Sequence, residues 1–363
     1  MYPDDFLQKK LNERISHDAL RSLRLPDGKA DFCSNDYLGM VHDRKIITHD
    51  TDNASGSTGS RLLAGNHPLT ETVEKQIASF HQAPTALLFN SGYDANLGLL
   101  SCVPQKGDTI YYDQLCHASI RDGMRLSFAQ SFSFVHNDMN DLEKKIQQHA
   151  TGNLFIVTES VFSMDGDICP LSNLVAISQR YNAHLIIDEA HATGVIGEEG
   201  EGLVQQQQYQ HSVFARVHTF GKACGCHGAV VLGSASLRSY LINFARSLIY
   251  STALPEHAVA AIGESYRLFP GMHTQRAKLK VLVQRFQEAN LAYEKLISFT
   301  PIQAVIVPGN EAVKHLAMQL QDSGLDVRPI LYPTVPKGKE RLRIVLHAFN
   351  TDDEMEKLIT CLQ

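Results

Sequence analysis

HLIIDEAHATG, residues 184–194, opens on a buried strand candidate, HLIIDEA (His184–Ala190): Leu185, Ile186 and Ile187 form its apolar run, and Asp188 is the carboxylate that follows them. Runs of the same kind recur on its N-terminal side at TALLFN (Thr85–Asn90), TIYYD (Thr109–Asp113) and FIVTES (Phe155–Ser160). Segments of helical character lie between several of them, among them Leu142–His149 and Leu171–Tyr181. That alternation predicts βα crossovers and a mainly parallel sheet sandwiched by helices, an α/β fold. Two further strand candidates, Ala215–Phe220 and Ala229–Gly233, flank GKACGCH with no room for a helix, which predicts one antiparallel pair in the sheet.

After Pro255 the pattern changes. A helical stretch from Glu256 to Ile297 is followed by a strand (Ala304–Val307), a helix (Glu311–Gln321), strands near Val327–Leu331 and Leu342–His347, and a last helix after Asp352. The expected organisation is an N-terminal helix and arm over residues 1–30 that belongs to neither core, a large domain over 31–255, and a smaller C-terminal α/β domain over 256–363.

With 363 residues, 44% hydrophobic and 20% charged, the composition is that of a soluble globular chain. A net charge of −6 offers no basic field for nucleic acid or anionic lipid, so small-molecule chemistry is the expectation, with no nucleic-acid and no membrane partner. Seven cysteines without regular spacing do not form a disulfide framework; reduced thiols and a cytoplasmic setting are expected. The first residues lack the apolar core of a signal peptide, and nowhere do about 18 apolar residues follow one another.

In an open α/β sheet ligands bind beyond the carboxyl ends of the strands, which singles out Ser91-Gly92-Tyr93, Asp113–His117, Glu159–Ser163, Asp188–His191 and Thr219–Lys222. Asp188 and Lys222 make joint sense around a pyridoxal 5'-phosphate (PLP) ring. The carboxylate pairs with the pyridinium nitrogen and keeps the ring an electron sink, while the Lys222 amine holds the cofactor as a Schiff base and serves as base on the substrate's α carbon. His191 is placed to reach the ring's phenolic oxygen. Ser91-Gly92-Tyr93 opens a helix, where backbone N–H groups favour a phosphate; a plain N-cap at Ser91 satisfies the same local pattern.

Rival motifs fail on their surroundings. Asp188-Glu189-Ala190-His191 spells DEAH, yet Gly221-Lys222 is followed by Ala223 and Arg216 stands where a phosphate-loop glycine belongs. Cys224, Cys226 and His227 are one residue short of C-x-x-C-H, and no second cysteine pair has zinc spacing, so no metal is expected. Gly194, Gly197, Gly200 and Gly202 form no dinucleotide fingerprint.

Nine ordered blocks then carry a resemblance: NDYLGM (35–40), GSTGSRLLAGNH (56–67), LFNSGYDAN (88–96), CHASIRDG (116–123), ESVFSMDGDICPL (159–171), DEAHATGVIGEEGEG (188–202), TFGKACG (219–225), STALP (251–255) and PTVPKGKERLRIVL (333–346). Together they closely resemble the α-oxoamine synthases, over nearly the whole chain from Asn35 onward. The resemblance implies a fold type I PLP-dependent transferase working as a homodimer, with active sites shared at the subunit interface. It implies that His117 stacks on the PLP ring, Asp188 pairs with the ring nitrogen and His191 bonds the phenolic oxygen. Thr219, Gly92 and Tyr93 contact the phosphate beside Lys222 on the same grounds, and Ser251 and Thr252 reach it from the partner subunit. Arg343 matches the clamp for the amino-acid carboxylate, a role a planar guanidinium suits. Asn35, Glu159 and Ser163 match positions lining the pocket, the last two beside the cofactor.

The arm before Asn35 and the stretch from Val41 to Ser55 are shorter than usual for that family, and Arg21 or Arg24 is the candidate amino-terminal arginine for the acyl donor. HAFN at His347–Asn350 stands where relatives carry a small-residue run ending in His. The implied reaction is a decarboxylating condensation of an amino acid with an acyl thioester, the expected pair being L-alanine and a pimeloyl group on CoA or a carrier protein. Glycine with acetyl-CoA or succinyl-CoA, and serine with a long acyl thioester, are the family's other pairings. A non-catalytic partner subunit and an aminotransferase of the same fold are readings of a different class.

Overall fold

The computed structural model describes residues 4–23, 25, 27–46 and 55–363. They fall into two compact units: a larger one of Asn35–Ser163 with Ile168–Arg276, and a smaller one of the residues up to Ser34 with Met164–Asp167 and Ala277–Gln363. The smaller unit opens the chain with helix α1 (Asp5–Ser16) and the two-residue strand β1 (Ala30–Asp31). The larger follows with α2 (Pro68–Phe80), β2 (Thr85–Phe89), α3 (Gly92–Cys102), β3 (Thr109–Asp113), α4 (Ala118–Leu126), β4 (Gln130–Phe134), α5 (Met139–His149) and β5 (Leu154–Glu159). It continues through α6 (Leu171–Arg180), β6 (His184–Asp188), the short α7 (Leu203–Gln206), β7 (Ala215–Thr219), β8 (Ala229–Gly233), α8 (Ala235–Phe244), α9 (Arg246–Ile249) and α10 (Glu256–Leu268).

The larger unit is built on a seven-stranded sheet in the order β2-β8-β7-β6-β5-β3-β4. Strands β7, β6, β5, β3 and β4 run parallel, and β8 is antiparallel to both of its neighbours, as the short Phe220–Gly228 connection requires. Every residue of β5 is buried, because helices cover both faces of the sheet. Its side chains alternate: Phe155 and Val157 join Leu99, Leu100, Ile120 and Met124 of α3 and α4, while Ile156 joins Leu142, Ile146, Leu174 and Val175 of α5 and α6. Each such fully buried side chain contributes about 1.5–3 kcal/mol. The pattern of apolar runs does not find β4, since QSFSF lies at the sheet edge with only Phe134 buried.

Beyond α10 the 3₁₀ turn Phe269–Gly271 interrupts the helical stretch expected to run unbroken to Ile297, and α11 (His273–Glu288) starts anew after Pro270 and Gly271. The smaller unit then adds β9 (Ile302–Ile306), α12 (Asn310–Asp322), β10 (Leu325–Asp326), β11 (Arg328–Ile330), β12 (Arg341–Val345) and α13 (Asp352–Leu362). Its antiparallel sheet has the order β11-β12-β9, and β1 pairs in parallel with β10. Phe32 is fully buried with Leu282, Phe286, Val305, Leu342 and Leu358. A capping box between Thr351 and Glu354 starts α13.

One expected boundary moves. The division after Pro255 falls instead after Arg276, because Pro255 caps α10 and α10 packs on α2, where Gln76 donates to the Gly263 carbonyl at 3.1 Å. The described residues up to Ser34 group with the smaller unit, where α1 buries no residue and β1 and Phe32, at the end of the arm, join the core. Helical periodicity marks an apolar face without saying which core receives it. Among the described residues all cysteines are free and no helix is long and apolar enough to cross a membrane.

Candidate active site

The carboxyl ends of the central strands converge on one cavity of about 190 Å³ in the larger unit. Gly92 and Tyr93 reach it from the turn after β2, His117 from the loop after β3, Glu159 from the end of β5, Asp188 from the end of β6, and Thr219 and Lys222 from the end of β7; His191 joins them three residues past Asp188. These are the residues that the strand ends and the resemblance single out, and the fold brings them to one place. Asn96, Ser119 and Ala190 complete the lining.

Asp188 is buried, with both oxygens engaged. Oδ1 accepts the Ala190 backbone N–H at 2.8 Å and Oδ2 accepts the Asn96 side-chain amide at 2.7 Å. The carboxylate is therefore held in one orientation by two donors that carry no charge. Gly92 leaves open space against Thr219, whose Cβ and Oγ1 would meet an added side-chain carbon at 3.3 Å. A glycine-walled turn at the start of α3, with Thr219 across from it, has the donors and the room that a phosphate needs. The Ser91 hydroxyl caps α3, accepting the Asp94 N–H at 3.1 Å and donating to the Asp94 carboxylate at 2.8 Å, and Ser91 does not line the cavity.

Glu159 is fully enclosed beside Asp188. Burial, and then the Asp188 charge, push its pKa up to about 8, although Lys222 and the His117 N–H, which Oε1 accepts at 2.7 Å, oppose the shift. His117 moves the other way: burial holds its ring below the usual histidine range. The His191 Nδ1 lies 2.7 Å from the Tyr37 hydroxyl, which bonds the Asn35 side chain at 3.1 Å. Asn35 thus stands behind His191 rather than on the cavity wall. Ser163, half-buried in the turn that the Val161–Ile168 bridge closes, does not line the cavity.

Other expected residues lie elsewhere in their own units. Ser251 and Thr252 border a separate cavity of about 20 Å³ with Arg61 and Asn90, and Asn90 donates to the Thr252 carbonyl at 2.8 Å. In the smaller unit Arg343 is half-buried on β12, in register with Ala304 of β9 and Arg328 of β11. Its neighbour Arg341 is ion-paired with Asp165. Arg21 is exposed and donates to Thr334 Oγ1 at 3.1 Å, and Arg24 lies outside the described residues. No cluster of metal-ligating side chains occurs among the described residues. The lining residues that motif reading passed over are Asn96 and Ser119. Asn96 sits one helical turn after Gly92, and that i, i+4 spacing on a helix opening at the cavity is the signal that points to it.

Glu189, next to Asp188, does not line the cavity. Its Oε1 accepts the Leu203 and Val204 N–H groups at 2.8 and 3.2 Å, and Gly202, at φ 98°, leaves the carboxylate the space that a Cβ would fill. Burial pushes its pKa up to about 7 from 4.5, against the pull of Arg216. Between those pH values the folded chain keeps a proton that the unfolded chain releases, so this group's contribution to stability declines as pH rises through the window. Glu189→Gln is expected to match the parent at pH 5 and to exceed it by about 3 kcal/mol at pH 8, at 1.36 kcal/mol per pKa unit. Denaturant unfolding at both pH values reads the difference, and a gap independent of pH would refute this account.

Comparison with known proteins fits this geometry. Residues 27–362 match the model of the aminotransferase class I and II family. Among solved structures, a serine palmitoyltransferase from S. paucimobilis with bound PLP-myriocin aldimine superposes with a TM-score of 0.87 at 26% identity, covering 99% of this chain and 96% of that one. An 8-amino-7-oxononanoate synthase from Francisella tularensis gives 0.76 at 29%, covering 93% and 97%. The fold is that of the fold type I PLP-dependent transferases. A curated 8-amino-7-oxononanoate synthase of Emericella nidulans is 41% identical over 98% of this chain and 94% of its own length, and 8-amino-7-oxononanoate synthase 2 of Bacillus subtilis is 36% identical over 98% and 96%. The chain belongs to the 8-amino-7-oxononanoate synthase family.

Proposed function

We propose that this chain binds PLP at the Lys222 cavity and, as an acyltransferase, condenses L-alanine with a pimeloyl thioester. The products are 8-amino-7-oxononanoate, CO2 and the free thiol of CoA or a carrier protein, a step of biotin synthesis. The observation that supports this most is the meeting of Lys222 and a hydrogen-bonded, buried Asp188 in one cavity at the strand ends, in a chain with relatives of that name at 36–41% identity. The donor set fits the cofactor: an amine, an oriented carboxylate, two histidines and a glycine-walled turn for the phosphate.

When bound, PLP supplies an electron sink for the carbanion at the amino acid's α carbon. Lys222 Nζ would be the amine that holds it and the base that takes the α proton. Asp188 would pair its negative charge with the ring nitrogen and so keep a proton there, His117 would lie against the ring, and His191 would bond its phenolic oxygen. Gly92, Tyr93 and Thr219 would hold the phosphate, joined by Ser251 and Thr252 of a second copy in a cytoplasmic homodimer with shared active sites. Arg343 would clamp the alanine carboxylate, Glu159 lines the pocket, Asn35 backs His191 through Tyr37, and Ser163 is assigned to the substrate side by resemblance alone. Arg21 and Arg24 are assigned to the acyl donor. In the net reaction the alanine α carbon gives up its proton and bonds to the acyl carbon, the thiolate leaves and takes a proton, and the carboxylate departs as CO2, leaving its bonding pair on the α carbon, which takes a proton in turn; one proton is drawn from solvent overall.

The test offers L-alanine, glycine and L-serine in turn with pimeloyl, acetyl, succinyl and palmitoyl thioesters and follows thiol release. Alanine with a pimeloyl thioester is expected to have the highest kcat/KM, because discrimination is differential transition-state binding. Arg343→Ala should raise KM for alanine far more than for the acyl donor. Thiol release mainly with glycine and a short acyl group, or only with serine and a long one, would overturn the substrate assignment.

A further inference from the structure

Asn96 is 2% exposed on α3 and uses both protons of one amide nitrogen: Nδ2 donates to Asp188 Oδ2 at 2.7 Å and to Ser119 Oγ at 3.0 Å. The amide cannot be turned over, since its oxygen would then face a carboxylate oxygen. Ser119, 1% exposed at the start of α4, accepts from Asn96, so its single hydroxyl proton is free to go to His117 Nδ1, 2.8 Å away. The Ser119 backbone N–H points at the same nitrogen from 3.2 Å. A nitrogen facing two donors carries a lone pair, so the ring proton of His117 resides on Nε2. Protonating Nδ1 would set N–H against N–H.

We propose that Asn96 is a positioning residue that orients the Asp188 carboxylate and, through Ser119, holds His117 neutral with its proton on Nε2. This rests on the reading that Asp188 and His117 are the groups against the PLP ring. One buried amide then sets both: an anion at the ring nitrogen and an uncharged ring beside it. A cationic His117 would oppose the positive charge that Asp188 maintains on the cofactor. The downward displacement of the His117 pKa by burial acts in the same sense.

The charged groups around His117 are Asp188 from β6, Asp122 from its own helix and Lys222 from the loop after β7, with Glu159 of β5 at its backbone N–H. Asp188 and Asp122 favour the imidazolium and Lys222 opposes it. None of these is altered by Ser119→Ala, which deletes one oxygen and leaves the Asn96–Asp188 bond in place.

The experiment uses the PLP-loaded protein and three readouts: borohydride labelling of Lys222, the pH dependence of kcat, and pH titration of the bound cofactor's visible absorbance. In Ser119→Ala, His117 loses a donor that favours its neutral form, so its pKa rises and the acidic limb of kcat moves up by about half a unit to one unit, with KM for alanine nearly unchanged. In Asn96→Ala the same limb moves and kcat falls by about 10- to 100-fold, because Asp188 also loses its partner; the absorbance titration shifts in this variant more than in Ser119→Ala. A role in packing alone would change stability and leave both pH profiles in place. Parent-like profiles in both variants, with Lys222 labelled, overturn the inference and leave the proposed function standing. A parent that takes no label on Lys222 overturns the proposed function and this inference together.

Discussion

Lys222→Ala is expected to abolish turnover, lowering kcat by at least about 10⁴-fold, since a positioned base alone contributes about 10²–10⁴-fold and in the proposed role the same amine also holds the cofactor. The variant should fold. Ala223 and Cys224 behind the lysine are fully buried, and the loop keeps its own bonds, with Cys226 N–H to the Phe220 carbonyl at 2.8 Å and Phe220 N–H to Gly228 at 2.9 Å. It should also bind PLP, more weakly, through the phosphate turn and the Asp188 side. Borohydride should fix the cofactor to Lys222 in the parent, as peptide mapping would show, and to no residue in the variant. The sharpest readout is exchange of the alanine α hydrogen with D2O when no acyl donor is present. That exchange should vanish with the lysine, and a rate within about tenfold of the parent would defeat the assignment of Lys222 as the base.

Asp188→Ala should slow the same exchange by about 10²–10³-fold with Lys222 intact, the scale on which one preorganised electrostatic contact to a reacting system acts. Loss of the carboxylate also leaves the Asn96 amide and the Ala190 N–H without the acceptor they share. A buried donor without a partner costs about 1–3 kcal/mol, so the midpoint of thermal unfolding should drop as well. Asp188→Asn separates the two effects. It keeps one acceptor, for the Ala190 N–H or for the Asn96 amide but not for both, and carries no charge, so exchange should stay slow while part of the stability returns. Exchange at the parent rate in Asp188→Asn would remove the charge from the argument.

Much of this molecule is legible along the chain. The strands β2, β3, β5, β6, β7 and β8 stand within a residue or two of the apolar runs that announce them, because a strand buried on both faces must be apolar throughout. The antiparallel β7–β8 pair follows from a connection too short for a crossover. Gly92, Tyr93, His117, Glu159, Asp188, Thr219 and Lys222 are found by reading the polar residue just past each run. The edge strand β4 escapes that reading because solvent replaces apolar cover along most of QSFSF. Pro255 looks like a boundary and is a helix start.

What the amino-acid order alone determined is therefore the sheet, the direction of its strands and the identity of most groups at its carboxyl edge, all consequences of short-range periodicity and of polar residues placed where apolar runs stop. Only the tertiary structure decided the rest. Asn96 meets Asp188 across 92 positions of chain, Tyr37 meets His191 across 154, Glu159 acquires its high pKa from enclosure beside a second carboxylate, and Ser251 and Thr252 turn toward a different cavity from that of Lys222. Such pairings have no local signature, because a hydrogen bond between distant residues exists only once packed strands and helices have fixed both partners, and a pKa shift exists only once packing has excluded water from the group.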